Sequence, residues 1–540
     1  MLFRALVELY SWFLPRRLVT ELENRKYSVS AYLGWFWHAR RYEPSTAKLS
    51  DKGRLLEVIA LLGSLVQIVF GVWLLTRWAQ SGAVGEWQFG LALLVSYPIV
   101  WTHVLAALAI IGWALYFLFH PKKFGRTLVC VILERQVKQL KKRHSFKTVA
   151  VVGSVGKTST KLAIANLLGG QLRVQHQSGN YNDRVTVPLI FFGQTEPNLI
   201  NIFGWLKIFG ANSRMIHEAY PYDVVVVELG VDGPGQMRHF AYTKPDLAVV
   251  TAVSPEHMEY FKTLDAVAAE ELAIFDFADE VLVNGDDIPG EYLASRSFVE
   301  YSTISDRADY YTNSPSAALS GQTLSVKLPS GSLQAKTSYI GQHGAKIVLA
   351  AVAVGDILGM KPKQIENGIE LLAPFAGRMQ ILLGTKDSTL IDDTYNASPM
   401  AVKAALDVLY ANTAKQRIAI LGNMNELGDY SQEAHQEIGD YCDAKKLDLV
   451  VTIGTDANKY LAPAAKKQGC VVKTFTSPYE AGEFVASKLQ SGAIVLAKGS
   501  QNGVFAEEAL KPLLQNADDQ TKLVRQSPYW IKQKQQQFND

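Results

Sequence analysis

Cysteine is scarce in this chain. Cys130, Cys442 and Cys470 are all that its 540 residues contain. They lie far apart, which excludes a disulfide framework and the paired spacing of a zinc site. Buried or free thiols of a reducing compartment are what remains. An excess of one charge is also missing: 54 Lys and Arg face 51 Asp and Glu, for a net +3. That balance excludes the strong basic field of a nucleic-acid binder, so no nucleic-acid partner is expected. The start of the chain has no small-residue cleavage site, and no removable signal peptide is expected. Self-similarity at a fixed period is absent too, which excludes a solenoid. At roughly 150 residues per domain, the length calls for three or four parts.

Long apolar runs are present, and only near the start. Leu55 to Thr76 reads LLEVIALLGSLVQIVFGVWLLT, with Glu57 its one charge. It is long enough to span a hydrocarbon layer of about 30 Å as a helix. Phe89 to Phe119 is a second run, which Pro98 would kink. Arg40, Arg41, Lys48, Lys52 and Arg54 precede the first run, and Lys122, Lys123 and Arg126 follow the second. The connection carries Arg77 and Glu86. Under the positive-inside rule this predicts a hairpin of two transmembrane helices, about 55–76 and 89–119, with both ends cytoplasmic. The expectation is therefore a multi-pass protein of the cytoplasmic (inner) membrane, with the membrane itself a partner. Two buried helices are the alternative. The opening MLFRALVELYSWFLPRR and the aromatic, cationic AYLGWFWHARRY suit a membrane interface or a helix packed on the rest of the protein.

From Phe146 the pattern becomes that of an α/β protein. TVAVVG reads as a buried strand and KLAIANLL as a helix. Between them Gly153, Ser154, Val155, Gly156, Lys157, Thr158 and Ser159 form a shortened phosphate loop, with Val151 where the longer pattern has glycine. Gly153 and Gly156 permit the turn, backbone N–H groups can face phosphate oxygens, Lys157 neutralises charge, and the Thr158 hydroxyl suits magnesium. SGNYNDRVTVP places Asn180 and Asn182 in a polar loop. Two strands end at Glu228 and near His257, the edge at which open α/β sheets bind ligands. Glu228 is a magnesium ligand or a helix cap on this reading. His257 is a site residue or a structural histidine.

These segments occur in a telling order: Gly153–Ser159, Gly179–Asn182, Glu228–Gly230, His257–Glu259, Gly377-Arg378, LIDDTYNASP at 390–399, LGNMNELG at 421–428 and Lys498-Gly-Ser500. Together they resemble the Mur ligase family, and within it the MurF type. That resemblance implies a P-loop central domain and a Rossmann-like C-terminal domain. It also implies an ADP-forming carboxylate–amine ligase of peptidoglycan precursor synthesis that acts through an acyl phosphate. ATP and Mg²⁺ would be cofactors, and a cell-wall precursor peptide and an amino acid or dipeptide the substrates. Lys157, Glu228, His257 and Arg378 would serve catalysis. Thr158, Glu228 and His257 would hold metal. Asp393, Tyr395 and Asn396 would reach the nucleotide's ribose and base, and Asn180, Asn182, Lys498 and Ser500 the substrate.

The sequence also departs from the family's pattern. Glu271 stands where the family has a carbamylated lysine and would serve the metal directly, with Glu270 the alternative match. Gly344 and Ile347 replace asparagines near the base, and Gln501 replaces an arginine after Lys-Gly-Ser. Residues 1–145 offer no α/β domain for a UDP-sugar. The expected division is thus 1–145 membrane-associated, 146–375 ATP-binding, 376–520 C-terminal Rossmann-like, and 521–540 a polar, disordered tail. Other readings are a ligase or amidating enzyme acting on a lipid-linked wall precursor or another polyamide, and a non-catalytic membrane nucleotide-binding adaptor.

Overall fold

The computed structural model describes residues 15–25, 49–82, 87, 121–177, 179, 181–199, 201–313 and 316–538. It divides into two units, 1–124 and 125–540.

In the first unit the described elements are two helices, α1 (Pro15–Asn24) and α2 (Asp51–Gln80). Ser50 caps α2, its hydroxyl accepting from Gly53 N–H, while its own N–H donates to Glu23 at 3.0 Å. The expected membrane hairpin is corrected here. Among the described residues no helix is long and apolar enough to cross a membrane. The run 55–76 is not a segment of its own. It is the interior of a 30-residue helix that also carries Asp51, Lys52, Arg54, Glu57 and Arg77. The inner-membrane, multi-pass localisation falls with it, and no described helix supports the membrane as a partner. The second run, 89–119, lies outside the described residues, as do MLFRALVELYSWFL at the start and AYLGWFWHARRY.

The second unit is built on two sheets. Helix α3 (Pro121–Arg143) leads into β1 (Lys147–Val152), followed by α4 (Lys157–Gly169) and β2 (Val174–Gln175). Then come α5 (Ile202–His217), β3 (Val224–Glu228), β4 (Leu247–Val250), α6 (Leu264–Glu271), β5 (Glu280–Asn284), β6 (Val299–Ser302), β7 (Tyr310–Thr312), and the hairpin β8 (Gln322–Leu328) and β9 (Gly331–Thr337). The strand order is β2-β3-β1-β4-β5-β6-β7-β8-β9. It is parallel as far as β7, and β8 and β9 pair antiparallel.

Both faces of β1 are covered, which is why its sequence is a continuous apolar run rather than an alternation. Val149 and Val151 join one core with α7 (Gly341–Ile357), while Ala150 and Val152 join the core on the other face. Helix α7 is apolar around most of its surface because it is buried: Val348, Leu349, Val352 and Val354 have no exposed area. Each such side chain contributes roughly 1.5–3 kcal/mol by leaving water.

The second sheet follows, with β10 (Gln380–Leu383), β11 (Thr389–Asp393), α8 (Pro399–Ala411), β12 (Arg417–Gly422), α9 (Ser431–Tyr441), β13 (Leu449–Ile453), β14 (Val472–Phe475), α10 (Pro478–Lys488) and β15 (Ile494–Lys498). Its order is β10-β11-β15-β12-β13-β14, parallel except for β10. Ala419 and Leu421 face one core, Ile418 and Ile420 the other.

The tail differs from the disorder its composition predicts. Residues Pro528–Phe538 form a helix, α11, and Lys534 on it is 1% exposed. Composition misses this because Lys534 is matched by the buried carboxylates of Glu507 and Glu508, which lie outside the tail.

Candidate active site

β1 sits where the first sheet reverses its strand order, with β3 on one side and β4 on the other. The loop after such a strand opens into a crevice at the carboxyl ends of the strands. Here that loop is the glycine-rich turn. Gly153 has φ +120°, and a Cβ there would lie 2.5 Å from Thr251 Oγ1 and 2.8 Å from Ala252 N. Gly156 has φ +86° and caps the N-terminus of α4. Both positions need the freedom that only glycine has. The loop is pinned to the end of β4: Ser154 N–H donates to Ala252 O at 2.9 Å, Ser254 N–H to Ser154 Oγ at 3.0 Å, and Thr251 Oγ1 to Val155 O at 2.6 Å.

Lys157 and Thr158 open helix α4 and so share its positive end. Lys157 Nζ lies 3.2 Å from Glu256 Oε2. Burial alone would lower its pKa, but the Glu256, Glu271 and Glu228 carboxylates outweigh burial and hold it above the ordinary lysine range. Thr158 Oγ1 donates to Glu228 Oε1 at 3.2 Å, and Asn182 reaches the same oxygen at 3.4 Å. Glu228 is 3% exposed. Its Oε2 is 3.2 Å from Lys161 Nζ yet has no aligned hydrogen bond. We read that contact as an ion pair, because both side chains are buried. Asn180 lies outside the described residues.

His257 stands just before the short helix Met258–Phe261 with φ +50°. Its Nδ1 is 2.9 Å from Glu426 Oε2, and its Nε2 is 3.5 Å from Glu256 and 3.6 Å from Asp232. Burial lowers its pKa, but bonds to Glu256 and Glu426 outweigh this and carry it up to about 10. The histidine is therefore an imidazolium here. Glu426 comes from the second sheet's loops, so this contact joins the two halves of the site. A Cβ on Gly428 would lie 2.9 Å from Glu259 Cα, so the two loops also touch through backbone.

Glu271 lies behind the loop. It is 2% exposed and accepts from Gly153 N–H at 2.8 Å. Burial pushes its carboxyl up to about 7, against the opposing pull of Lys157. Glu270 is tied elsewhere, to Gly235 and Met237 N–H.

From the second sheet, Arg378 lies over the Tyr395 ring, 4.3 Å from its centroid, and its Nε is buried without a hydrogen bond. Tyr395 N–H donates to Gly377 O at 3.0 Å. Asp393 and Lys498 are register partners on β11 and β15 and form a buried ion pair at 2.5 Å. Lys498 also donates to Asn396 O at 3.0 Å. Burial lowers the Lys498 ammonium, an effect Asp393 opposes. Ser500 is buried as well; it donates to Ala397 O at 3.2 Å and accepts from Asn425 N–H at 2.9 Å. Lys498 and Ser500, expected at the substrate, thus bind the strand-end loops to one another, and Lys498 also borders a small recess with Arg378 and Asp393.

Two cavities result. One, of about 240 Å³, is lined by Lys157, Thr158, Glu228 and His257 from the first sheet and by Arg378, Tyr395 and Asn396 from the second. The other, of about 440 Å³, opens on the far side of Gly156, between His343, Lys346 and Ile347 of α7 and Met400, Lys403 and Ala404 of α8. Asp393, Tyr395 and Asn396 do not line this larger cavity. Ile347 does, while Gly344 borders a smaller recess beside it. Sequence reasoning missed Lys161, Glu256, His343, Lys346 and Glu426. Glu256 adjoins His257, and Glu426 lies in the LGNMNELG segment, so the signal for both was position beside a motif. Nothing local marks His343. Burial pulls it down to about 4, against Asp393 and Asp287, so it is a neutral imidazole.

Comparison with known proteins is consistent with this geometry. Residues 151–355 match the Mur ligase middle domain and residues 377–501 the Mur ligase glutamate ligase domain, together more than half of the chain. The chain belongs to the Mur ligase family. As a Mur ligase it is an ATP-dependent, amide-bond-forming enzyme. It is 26% identical over 390 residues to the UDP-N-acetylmuramoyl-tripeptide–D-alanyl-D-alanine ligase of Haemophilus influenzae, covering 69% of this chain and 78% of that one. The Bacillus subtilis enzyme of the same name is 26% identical over 377 residues, covering 68% and 76%. Among solved structures, MurF from Thermotoga maritima in complex with ADP superposes on this Mur ligase with a TM-score of 0.59 at 21% identity, covering 72% of this chain and 84% of that one.

Proposed function

We propose that this Mur ligase is of the MurF type. It joins a dipeptide amine such as D-alanyl-D-alanine to the free carboxylate of a UDP-linked muramoyl peptide, and it uses ATP to activate the acid in peptidoglycan precursor synthesis. The observation that carries this reading is the 240 Å³ cleft on which Lys157, Thr158, Glu228, His257 and Arg378 converge from two sheets.

The chemical obstacle is repulsion between an anionic carboxylate and an anionic γ-phosphate. The backbone N–H groups of 153–159 and the positive end of α4 favour the phosphates. Lys157, held cationic by three carboxylates, stabilises charge developing on the transferred group. Arg378 faces it across the cleft, braced against Tyr395. The donor set Thr158 and Glu228 fits a divalent cation, because both offer oxygen atoms to the cleft; Glu228 Oε2, buried and without a hydrogen bond, would exchange the Lys161 ammonium 3.2 Å away for the metal. Magnesium bound there would offset phosphate charge. His257 fits less well as placed, since an imidazolium has no lone pair for a metal and must first lose its proton. Among the described residues no group of three or more His, Cys, Asp or Glu forms a ready-made metal site.

The 440 Å³ cavity suits the nucleoside: it adjoins Gly156 and offers apolar walls in Ile347, Met400 and Ala404, with Lys346 and Lys403 at its edge. The His257–Glu426 contact closes one side of the phosphate cleft, which would shield the acyl phosphate from water before the amine attacks. Gln501 lines the cleft where the MurF type carries an arginine, so the acceptor peptide is tested on both a UDP and a lipid carrier.

The test is ADP release with Mg²⁺, UDP-linked or lipid-linked muramoyl tripeptide, and D-alanyl-D-alanine. Release that needs ATP, acceptor and amine together is expected. ATP binding with no amine-dependent turnover for either acceptor would leave a nucleotide-binding adaptor instead.

A further inference from the structure

Beyond residue 501, where the family match ends, the chain turns back beneath the site. Arg525 is 7% exposed on its side chain and has φ +55°, a backbone conformation that a non-glycine residue adopts at some cost. Its guanidinium grips Glu507 with two bonds, Nε to Oε1 at 2.9 Å and Nη2 to Oε2 at 2.6 Å. The same group donates from Nη1 to Tyr395 O at 3.0 Å and from Nη2 to Thr394 O at 2.6 Å. Four of the five N–H donors of arginine are thus used, two on a buried acid and two on the turn that carries Tyr395 and Asn396 into the cleft.

The rest of the tail keeps Arg525 in place. Lys534 donates to Arg525 O at 2.9 Å and pairs with Glu507 at 2.8 Å and Glu508 at 2.6 Å. Val524 occupies the space beside Gly377, where a Cβ would meet its Cγ1 at 2.8 Å. Gly377 in turn accepts from Tyr395 N–H and precedes Arg378. One turn is therefore held by its N–H from the Gly377 side and by its carbonyls from the tail.

We propose that Arg525 is a positioning residue for ligation: it fixes the Thr394–Tyr395 turn so that Tyr395, and the Arg378 guanidinium stacked on it, face the phosphate cleft. Lysine cannot replace it, because one ammonium cannot bind a carboxylate side-on and reach two carbonyls in a plane. This inference rests on the reading of that cleft as the site of phosphoryl transfer.

The experiment uses the full chain with Arg525→Lys and Arg525→Ala, and with Lys511→Met as a comparison. Lys511 pairs with Glu508 at 2.7 Å from the outer side. For each variant, amide hydrogen exchange over 394–398, the melting temperature, and kcat and KM for ATP in ADP release are measured. Arg525→Lys should restore most of the melting temperature lost in Arg525→Ala. It should still exchange faster over 394–398 and lose about 10- to 100-fold in kcat/KM for ATP, the cost of a small misplacement at a reacting centre. Lys511→Met should lower the melting temperature alone. If Arg525→Lys matches wild type in exchange and in kcat/KM, the proposal is overturned. If Arg525→Ala does not fold, the lysine variant decides. If wild type shows no ATP-dependent turnover, the proposed function fails, and exchange over 394–398 alone still decides whether Arg525 holds the turn.

Discussion

Replacing Lys157 by methionine keeps the length of the side chain and removes its charge. The ammonium sits 3.2 Å from Glu256 Oε2, an attraction of about 5 kcal/mol at an effective dielectric constant near 20. Desolvation of the ammonium offsets much of that. The carboxylates left behind have other outlets: Glu256 keeps His257 at 3.5 Å, and Glu271, already pushed up to about 7, takes a proton more readily. Destabilisation should therefore stay below the roughly 3–5 kcal/mol of an isolated buried pair that loses one partner. The melting temperature falls by some degrees and the protein still folds. Activity should suffer far more. Losing one preorganised electrostatic contact at the reacting group costs about 100-fold or more in rate. The assay is the initial rate of ADP release at saturating acceptor and amine, beside a thermal melt of the same preparation. A folded Lys157→Met protein that turns over within a few-fold of wild type would refute the role assigned to Lys157.

The two loop glycines should separate strain from space. Gly156→Ala meets nothing nearer than His343 Cε1, at 3.4 Å, so it carries mainly the left-handed backbone cost of about 1–2 kcal/mol, whereas Gly153→Ala also drives a Cβ into the backbone of Ala252 and should melt lower. Equal melting temperatures would argue against the loop geometry. Glu271→Gln still accepts the Gly153 N–H, so ligation should persist near neutral pH. A loss of about 100-fold or more would support Glu271 as the metal ligand that the resemblance implies. Asp392 is fully buried, and burial pushes its carboxyl up to about 7, against bonds from Thr394. A folded pKa raised above the unfolded one gives stability that is complete at low pH and is lost as pH rises through the folded value. Asp392→Asn should thus flatten the decline in stability between about pH 4 and pH 7; an unchanged slope would show that another group titrates.

The phosphate loop, the strand that ends at Glu228, the strand Leu247–Val250 whose following loop carries His257, and the α/β class were legible because each depends on neighbours along the chain. A glycine pattern after an apolar run dictates strand, turn and helix whatever surrounds it. The positions with no local signature were another matter. Glu271 lies behind the loop rather than on a solvated helix face only because α6 packs there, and Lys498 is spent on Asp393 because β11 and β15 are neighbours in the sheet. The apolar run 55–76 misled, since local hydropathy does not say where the helix containing it starts and stops.

The sequence by itself thus determined the chemistry available: a phosphate-gripping turn, a cation to neutralise charge, and acids at strand ends. Tertiary structure alone decided which groups meet. Glu426 reached His257 across 169 residues, and Arg525 reached Thr394 and Tyr395 across 131 and 130. The physical reason is that a charge removed from water must find its partner in space, and no local pattern encodes a partner that far along the chain.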